Sequence, residues 1–156
     1  MDRLSPFQAS VLQTPRELNL ALLGARGGGK STAAVALIAR DLQEYGEDAS
    51  VLVVRRTLRA LSDFEEELLR LIGLVSGGTH SYNRAEKILR WNGGKVTLAA
   101  IERASDYDKL QGKSFHCIII EEVTQYPSER VLRLLRSNLR APSGIQTRVI
   151  YLGNPG

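Results

Sequence analysis

The residues with the clearest chemistry form a glycine-rich loop that runs from Gly24 to Ser31 and reads GARGGGKS. The loop matches the pattern G-x-x-x-x-G-K-[ST] in full. Glycines let backbone N–H groups turn inward around phosphate oxygens, and a following helix adds partial positive charge. Lys30 then reaches the β and γ phosphates, and Ser31 can hold Mg²⁺. The sequence predicts bound ATP and Mg²⁺ here, with the contacts made by Gly24, Ala25, Arg26, Gly27, Gly28, Gly29, Lys30, Ser31 and Thr32.

Arg26 lies inside this loop, and its role has two interpretations. It can reach the γ phosphate and offset the charge that develops in the transition state, as an arginine finger supplied in cis would. Alternatively, it points outward to solvent or to a neighbouring subunit. We include Arg26 with Lys30 among the candidate catalytic residues.

A second candidate site lies where the apolar run Cys117–Ile120 ends in two carboxylates, Glu121 and Glu122. Burial of acids at this point is favourable only if a cation or a proton transfer occupies them. The pattern resembles a Walker B motif, in which Glu121 would support Mg²⁺ and Glu122 would deprotonate the attacking water. The usual first acid is aspartate, so either the metal geometry relaxes slightly or Glu121 has a weaker role. The alternative is a pair of solvated glutamates that lead into the next loop.

Both motifs need a scaffold, and the chain alternates predicted strands with predicted helices. Such alternation predicts an α/β fold with a mainly parallel sheet flanked by helices, and ligands then bind beyond the carboxyl ends of the strands. Asn92-Gly93 predicts a tight turn in a β-hairpin near 85–100. The predicted strands are 18–23, 50–55, 115–120 and 147–152, and the predicted helices are 7–13, 31–46, 58–74 and 128–139.

The composition fits one ordinary globular domain. The chain has 156 residues, 43% apolar and 24% charged, with a formal charge of +4 that by itself leaves a polyanion partner undecided. No apolar run approaches the roughly 18 residues that span a bilayer, so we expect a cytoplasmic protein with no membrane partner. We expect Cys117 to be a buried, inert thiol, His80 and His116 to be structural or surface residues, and 65–67 to form a solvated helix face.

Taken together, these motifs resemble the ATPase domain of the large terminase subunit, the motor that packages DNA in tailed bacteriophages and related viruses. The resemblance covers nearly the full chain. It rests on the R-GGGKS form of the loop, the IIIEE strand end, Gly112 shortly before that strand, Arg55-Arg56-Thr57 after the second strand, and the closing Gly153-Asn154-Pro155-Gly156.

The resemblance implies an additional-strand, RecA-like P-loop ATPase that moves double-stranded DNA into a procapsid in the host cytoplasm. It also implies a homo-oligomeric ring that works with a portal protein and a small terminase subunit. By the same resemblance, Asn154 would sense the γ phosphate and couple hydrolysis to domain movement, and Gln8 would contact adenine. From the residues alone, a plain turn at Asn154 and an exposed helix glutamine at Gln8 remain alternatives.

Family members continue beyond the last of these motifs into more ATPase structure and then a nuclease domain. We therefore expect residues 1–156 to be a single ATPase domain that lacks its C-terminal part and any nuclease domain. Four arginines are candidates for DNA contact by charge only, with a solvated face as the alternative: Arg133, Arg136, Arg140 and Arg148.

Two other functions stay open at this point. Another nucleic-acid ATPase, such as a helicase, would share both phosphate motifs but would need strand-tracking motifs in a second domain. A nucleotide-binding assembly module would bind ATP without hydrolysis, and it is favoured if Glu121 in place of aspartate disables the metal site or if truncation removes essential structure. Measured turnover, and its coupling to DNA, separates the three.

Overall fold

A twisted, mostly parallel sheet organises the computed structural model, which describes residues 20–23, 30–121, 129–142 and 144–153. Seven strands pair in the order β1-β7-β6-β2-β5-β4-β3. None of the helices in these ranges is long and apolar enough to cross a membrane. The strands are β1 (Leu20–Leu23), β2 (Ser50–Arg55), β3 (Ser81–Asn83), β4 (Ile88–Trp91), β5 (Gly94–Ala100), β6 (Cys117–Glu121) and β7 (Arg148–Gly153), and the helices are α1 (Lys30–Tyr45), α2 (Leu58–Ser76) and α3 (Glu129–Arg136), with 3₁₀ turns at Gly46–Asp48 and Ala104–Leu110.

The predicted α/β class is confirmed: β1, β7, β6, β2 and β5 pair in parallel with one another in that order, and helices flank them. The predicted hairpin is the β4–β5 pair. Asn92 and Gly93 both have positive φ, 54° and 86°, as a type I′ turn requires. Strand β5 of this hairpin also pairs in parallel with β2 and continues the main sheet. The short strand β3 and the 3₁₀ helix Ala104–Leu110 were not predicted from the sequence.

The sheet separates two apolar layers, and alternation along each strand decides which layer a side chain joins. Val51 and Val53 of β2 pack in the layer that contains α1 and α2. Leu52 and Val54 pack on the opposite face, in the layer that contains α3 and the 3₁₀ helix Ala104–Leu110. Strand β6 alternates in the same way, with Cys117 on the first face. Residues of equal parity on β2 and β6 therefore share one face.

Helix α2 has defined signals at both ends. Thr57 is its N-cap, and the Thr57 hydroxyl accepts a hydrogen bond from the Ala60 N–H at 3.1 Å. Gly77 ends the helix in the left-handed conformation at φ 62°. In the sequence Arg55-Arg56-Thr57, Thr57 thus caps the start of α2. Arg55 is the last residue of β2, so it lies between the end of that strand and the start of α2.

Three charged or titratable side chains are buried together at the amino ends of the central strands. His116 Nε2 donates to Asp41 Oδ2 at 2.9 Å, and Arg148 Nη2 donates to the same oxygen at 3.4 Å. The Ser50 N–H donates to His116 Nδ1 at 2.9 Å, so the imidazole is neutral with its proton on Nε2. We call Asp41, His116 and Arg148 the amino-edge cluster. It ties α1 to the starts of β2, β6 and β7.

The amino-edge cluster corrects one interpretation from the sequence. Arg148 is only 2% exposed, so it can neither grip DNA nor belong to a solvated face.

Cys117 follows His116 and is buried as expected, and burial raises the pKa of its thiol to about 12. His80 is a partner of Ser76, whose hydroxyl lies 3.2 Å from His80 Nδ1.

Candidate nucleotide site

The parallel strands end at one edge of the sheet, and those predicted site residues that the structure describes lie at that edge. Leu23 pairs with Gly153, and Glu121 pairs with Leu152, so β1, β6 and β7 end at nearly the same level. Helix α1 begins at Lys30, a few residues after the end of β1. This edge is where α/β sheets bind ligands.

The structure describes part of the predicted site. Lys30 is the first residue of α1, and the side chains of Ser31, Thr32 and Glu121 are described. The remaining candidates lie outside the described residues, and their roles stay predictions: Gln8, Gly24, Ala25, Arg26, Gly27, Gly28, Gly29, Glu122 and Asn154.

Glu121 is buried at 6% exposure and forms an ion pair with Arg55, which is also buried at 8% exposure. The Arg55 Nη2 atom that faces Glu121 Oε2 also lies 3.4 Å from the Ser31 hydroxyl oxygen. We call Arg55, Glu121 and Ser31 the carboxyl-edge cluster. It joins the end of β2, the end of β6 and the first turn of α1.

Arg55 is held from two further directions. Its Nη1 donates to the Ala60 carbonyl oxygen in the first turn of α2. Its guanidinium carbon lies 5.7 Å from the centre of the Phe64 ring, within the range of a cation–π contact. The guanidinium is therefore fixed between the strand ends and α2.

In the sequence, Arg55 is visible only as part of a family resemblance, and nothing there predicts it at the site. The alternation of side chains along β2 and β6 indicates that Arg55 belongs to the site. Val53 pairs with Ile119 on the face of α1 and α2, and two residues further each strand presents Arg55 and Glu121 on that same face. A buried acid and a buried arginine that lie on the same face of neighbouring parallel strands, at the same level, predict an ion pair.

The carboxyl-edge cluster also tests whether Mg²⁺ would fit. Mg²⁺ prefers oxygen ligands, commonly a carboxylate or a hydroxyl together with substrate phosphates. The Ser31 hydroxyl and a Glu121 carboxylate oxygen converge on one position, because both contact the same Arg55 nitrogen. These two oxygens already contact the positively charged guanidinium of Arg55, so this pair of donors fits Mg²⁺.

Thr32 faces α2 in this structure. Its hydroxyl donates to Glu67 Oε1 at 2.9 Å, and Glu67 also accepts from Arg70, with Arg70 Nη2 at 2.7 Å. The start of α1 is thereby fixed to α2. The predicted solvated face at 65–67 is wrong for Glu67, whose side chain is 22% exposed, while Glu66 is exposed as expected.

Glu65 departs from the same prediction, because its side chain is only 13% exposed. The Tyr82 hydroxyl donates to Glu65 Oε2, and Lys87 Nζ lies 3.2 Å from that oxygen. The Tyr82 hydrogen bond is the main reason that the pKa of Glu65 lies below its ordinary value, and burial opposes it. Glu65 thus fixes α2 to β3.

Comparison with known proteins decides the family of this chain. Residues 21–155 match the model of the family described as terminase large subunit, T4likevirus-type, N-terminal. The chain belongs to this terminase family. The resemblance inferred from the motifs is confirmed. No curated protein gave a match to this sequence.

Solved structures agree on the fold of this terminase domain. The large terminase of a thermophilic bacteriophage has a TM-score of 0.75 and 18% identity, over 99% of this chain and 40% of that one. The ATPase domain of the Thermus phage P74-26 large terminase has a TM-score of 0.66 and 17% identity, over 99% of this chain and 66% of that one. The chain thus spans about 40% of the first of these two proteins. At such identities the likeness shows the fold alone.

Proposed function

We propose that this terminase domain binds Mg²⁺ and ATP at the carboxyl edge of its sheet and hydrolyses ATP to move double-stranded DNA into a procapsid. One observation carries the proposal: the Ser31 hydroxyl and a Glu121 carboxylate oxygen converge on one cation position. Ser31 directly follows Lys30, the lysine of the phosphate-loop pattern. The family match supports the packaging role. A structure of the thermophilic-phage large terminase in complex with ATP-γ-S, with a TM-score of 0.69 and 15% identity, supports the nucleotide.

Each residue then has a defined task. Ser31 and Glu121 would hold Mg²⁺, which when bound neutralises charge on the β and γ phosphates. Lys30 binds the same phosphates, and the backbone of Gly24–Gly29 wraps around them. Glu122 accepts the proton of the attacking water, and Arg26 offsets the charge of the transition state. Asn154 senses the γ phosphate, and Gln8 selects adenine.

DNA contact is best supported on helix α3. Val131 and Leu135 pack into the core, and the opposite face of α3 carries the exposed arginines Arg130, Arg133 and Arg136. A row of exposed guanidinium groups suits phosphates, and binding through it should be independent of base sequence and sensitive to salt. Arg140 is also exposed, just after α3. We propose this arginine face as the DNA grip.

The remaining partners follow from the family. We propose that the domain acts in a homo-oligomeric ring, with the portal protein and the small terminase subunit, in the cytoplasm of the infected host. The rest of a large terminase, including further ATPase structure and a nuclease domain, would complete the motor. DNA translocation by the whole protein belongs to this proposal.

Turnover measurements test the proposal directly. The chain is assayed for Mg²⁺-dependent ATP hydrolysis with and without double-stranded DNA, beside the variants Lys30→Ala and Glu122→Gln. We expect turnover in the parent chain, loss of nucleotide binding in Lys30→Ala, and binding without turnover in Glu122→Gln. Tight ATP binding with no turnover in any oligomeric state would instead favour a nucleotide-binding assembly module, and strand separation would favour a helicase.

A further inference from the structure

Arg55 occupies the position that the proposed function assigns to a metal ion. The same Nη2 atom pairs with Glu121 Oε2 and lies 3.4 Å from the Ser31 hydroxyl oxygen. Both side chains of the Arg55–Glu121 pair are at least nine-tenths buried. Buried carboxylates are costly unless a cation compensates them, so the guanidinium supplies the charge that Glu121 needs.

A guanidinium and Mg²⁺ cannot share this position. Two positive charges a few ångströms apart repel strongly where water is excluded. A Glu121 oxygen that accepts from Arg55 is also not available to coordinate an ion in the same direction. Binding of the metal at Ser31 and Glu121 therefore requires that the ion pair be broken or displaced.

Displacement does not require Arg55 to leave the site. Nη1 also donates to the Ala60 carbonyl oxygen, and the guanidinium already contacts the Phe64 ring, so both interactions can persist without Glu121. The backbone of Arg55 is fixed in β2, where it pairs with Ala100. The guanidinium can therefore exchange one partner while it keeps the others.

We propose that Arg55 is a positioning residue that substitutes for Mg²⁺ in the nucleotide-free domain: it holds the Glu121 carboxylate beside the Ser31 hydroxyl and is displaced from Glu121 when the metal binds. This inference rests on the proposed function, because it uses the metal position assigned there. It makes two opposite predictions for one substitution, lower stability without metal and higher affinity for metal.

The test compares the parent chain with Arg55→Gln and Arg55→Lys, and with Arg90→Gln as a control for charge, since Arg90 is exposed on β4. Mn²⁺ replaces Mg²⁺ so that electron paramagnetic resonance can count free ions, with and without ADP. Thermal unfolding is followed in EDTA and in Mn²⁺. Neither readout depends on turnover.

For Arg55→Gln, we expect the melting temperature in EDTA to fall by roughly 5–10 °C, because Glu121 loses its buried partner. We expect Mn²⁺ affinity to rise about tenfold, because the ion no longer competes with a guanidinium. Arg55→Lys should lie between the parent chain and Arg55→Gln, and Arg90→Gln should match the parent chain. A purely structural arginine would lower both stability and Mn²⁺ affinity, and that outcome overturns the inference.

A measurement on the parent chain covers the case in which both variants fail to fold. The side-chain Nε–Hε signals of ¹⁵N-labelled arginine are recorded before and after addition of Mg²⁺ and ADP. Displacement predicts that one buried arginine signal shifts or broadens while the signal of Arg148, in the amino-edge cluster, stays unchanged. If every buried arginine signal is unchanged at saturating metal and nucleotide, the inference is wrong. If the parent chain binds neither Mn²⁺ nor ADP, the proposed function itself fails.

Discussion

Two buried charged clusters lie at opposite edges of the same sheet, and they differ in the elements that they join. The amino-edge cluster pairs one carboxylate with two donors, and a backbone N–H fixes the tautomer of its histidine. The carboxyl-edge cluster pairs one carboxylate with a guanidinium that also contacts a hydroxyl on the phosphate-loop helix. Burial of charge is common to both. Only the second lies where strand ends and a helix start meet, so position in the fold, and not burial, indicates the functional site.

The largest expected effect is on chemistry at the carboxyl edge. Glu122→Gln removes the proposed base but keeps the size of the side chain, so turnover should fall by about 10²–10⁴-fold. Nucleotide binding and the melting temperature should remain near those of the parent chain. Steady-state ATPase assays and ADP titrations measure the two properties separately. Equal turnover in the variant would remove Glu122 from the mechanism.

The next largest effect is on stability at the amino edge. Asp41→Ala leaves Arg148 buried without its carboxylate, which should cost about 3–5 kcal/mol in the free energy of unfolding. Urea unfolding measures the loss, and ADP binding by the folded fraction should be unchanged. A variant that stays stable but no longer binds nucleotide would contradict the separation of the two clusters.

Arg133 and Arg148 sharpen the comparison further, because the sequence placed both in one set of DNA-contact candidates. Arg133 is exposed on α3, whereas Arg148 is buried in the amino-edge cluster. Arg133→Gln should weaken DNA binding modestly and reduce the salt dependence, with the slope of log affinity against log salt changing by about one. Binding measured at several salt concentrations checks this. An unchanged slope would remove Arg133 from the DNA grip.

The smallest expected effect lies outside both clusters, at the half-buried pair of Tyr82 and Glu65. The pKa of Glu65 is lowered in the folded chain, so the pair stabilises the fold above the ordinary glutamate pKa, and the stabilisation is lost as pH falls through the lowered value. Tyr82→Phe should cost on the order of 1 kcal/mol at neutral pH. The difference from the parent chain should narrow as pH falls below the ordinary glutamate pKa and through the lowered value. Chemical unfolding at pH 7 and pH 3 measures it, and a constant difference would mean that packing, not charge, is lost.

Much of the fold could be predicted because its signals are local. Nearly continuous apolar runs placed the central strands, and helical periodicity placed α1, each to within a few residues, and Asn92-Gly93 placed the hairpin turn. The phosphate loop and the acidic strand end are contiguous motifs, so they could be found without knowledge of the fold. What failed were statements about exposure, for Arg148 and for Glu67, because exposure depends on which distant segment packs over a residue.

The sequence by itself determined that a phosphate-loop pattern, an acidic strand end and an α/β scaffold belong to one chain, because each is written in neighbouring residues. Only the tertiary structure decided that Arg55, far from both motifs in sequence, stands between Ser31 and Glu121. It also decided that β5 joins the main sheet beside β2. Strand order and register are set by packing among residues far apart along the chain, and these long-range contacts determine which charges meet.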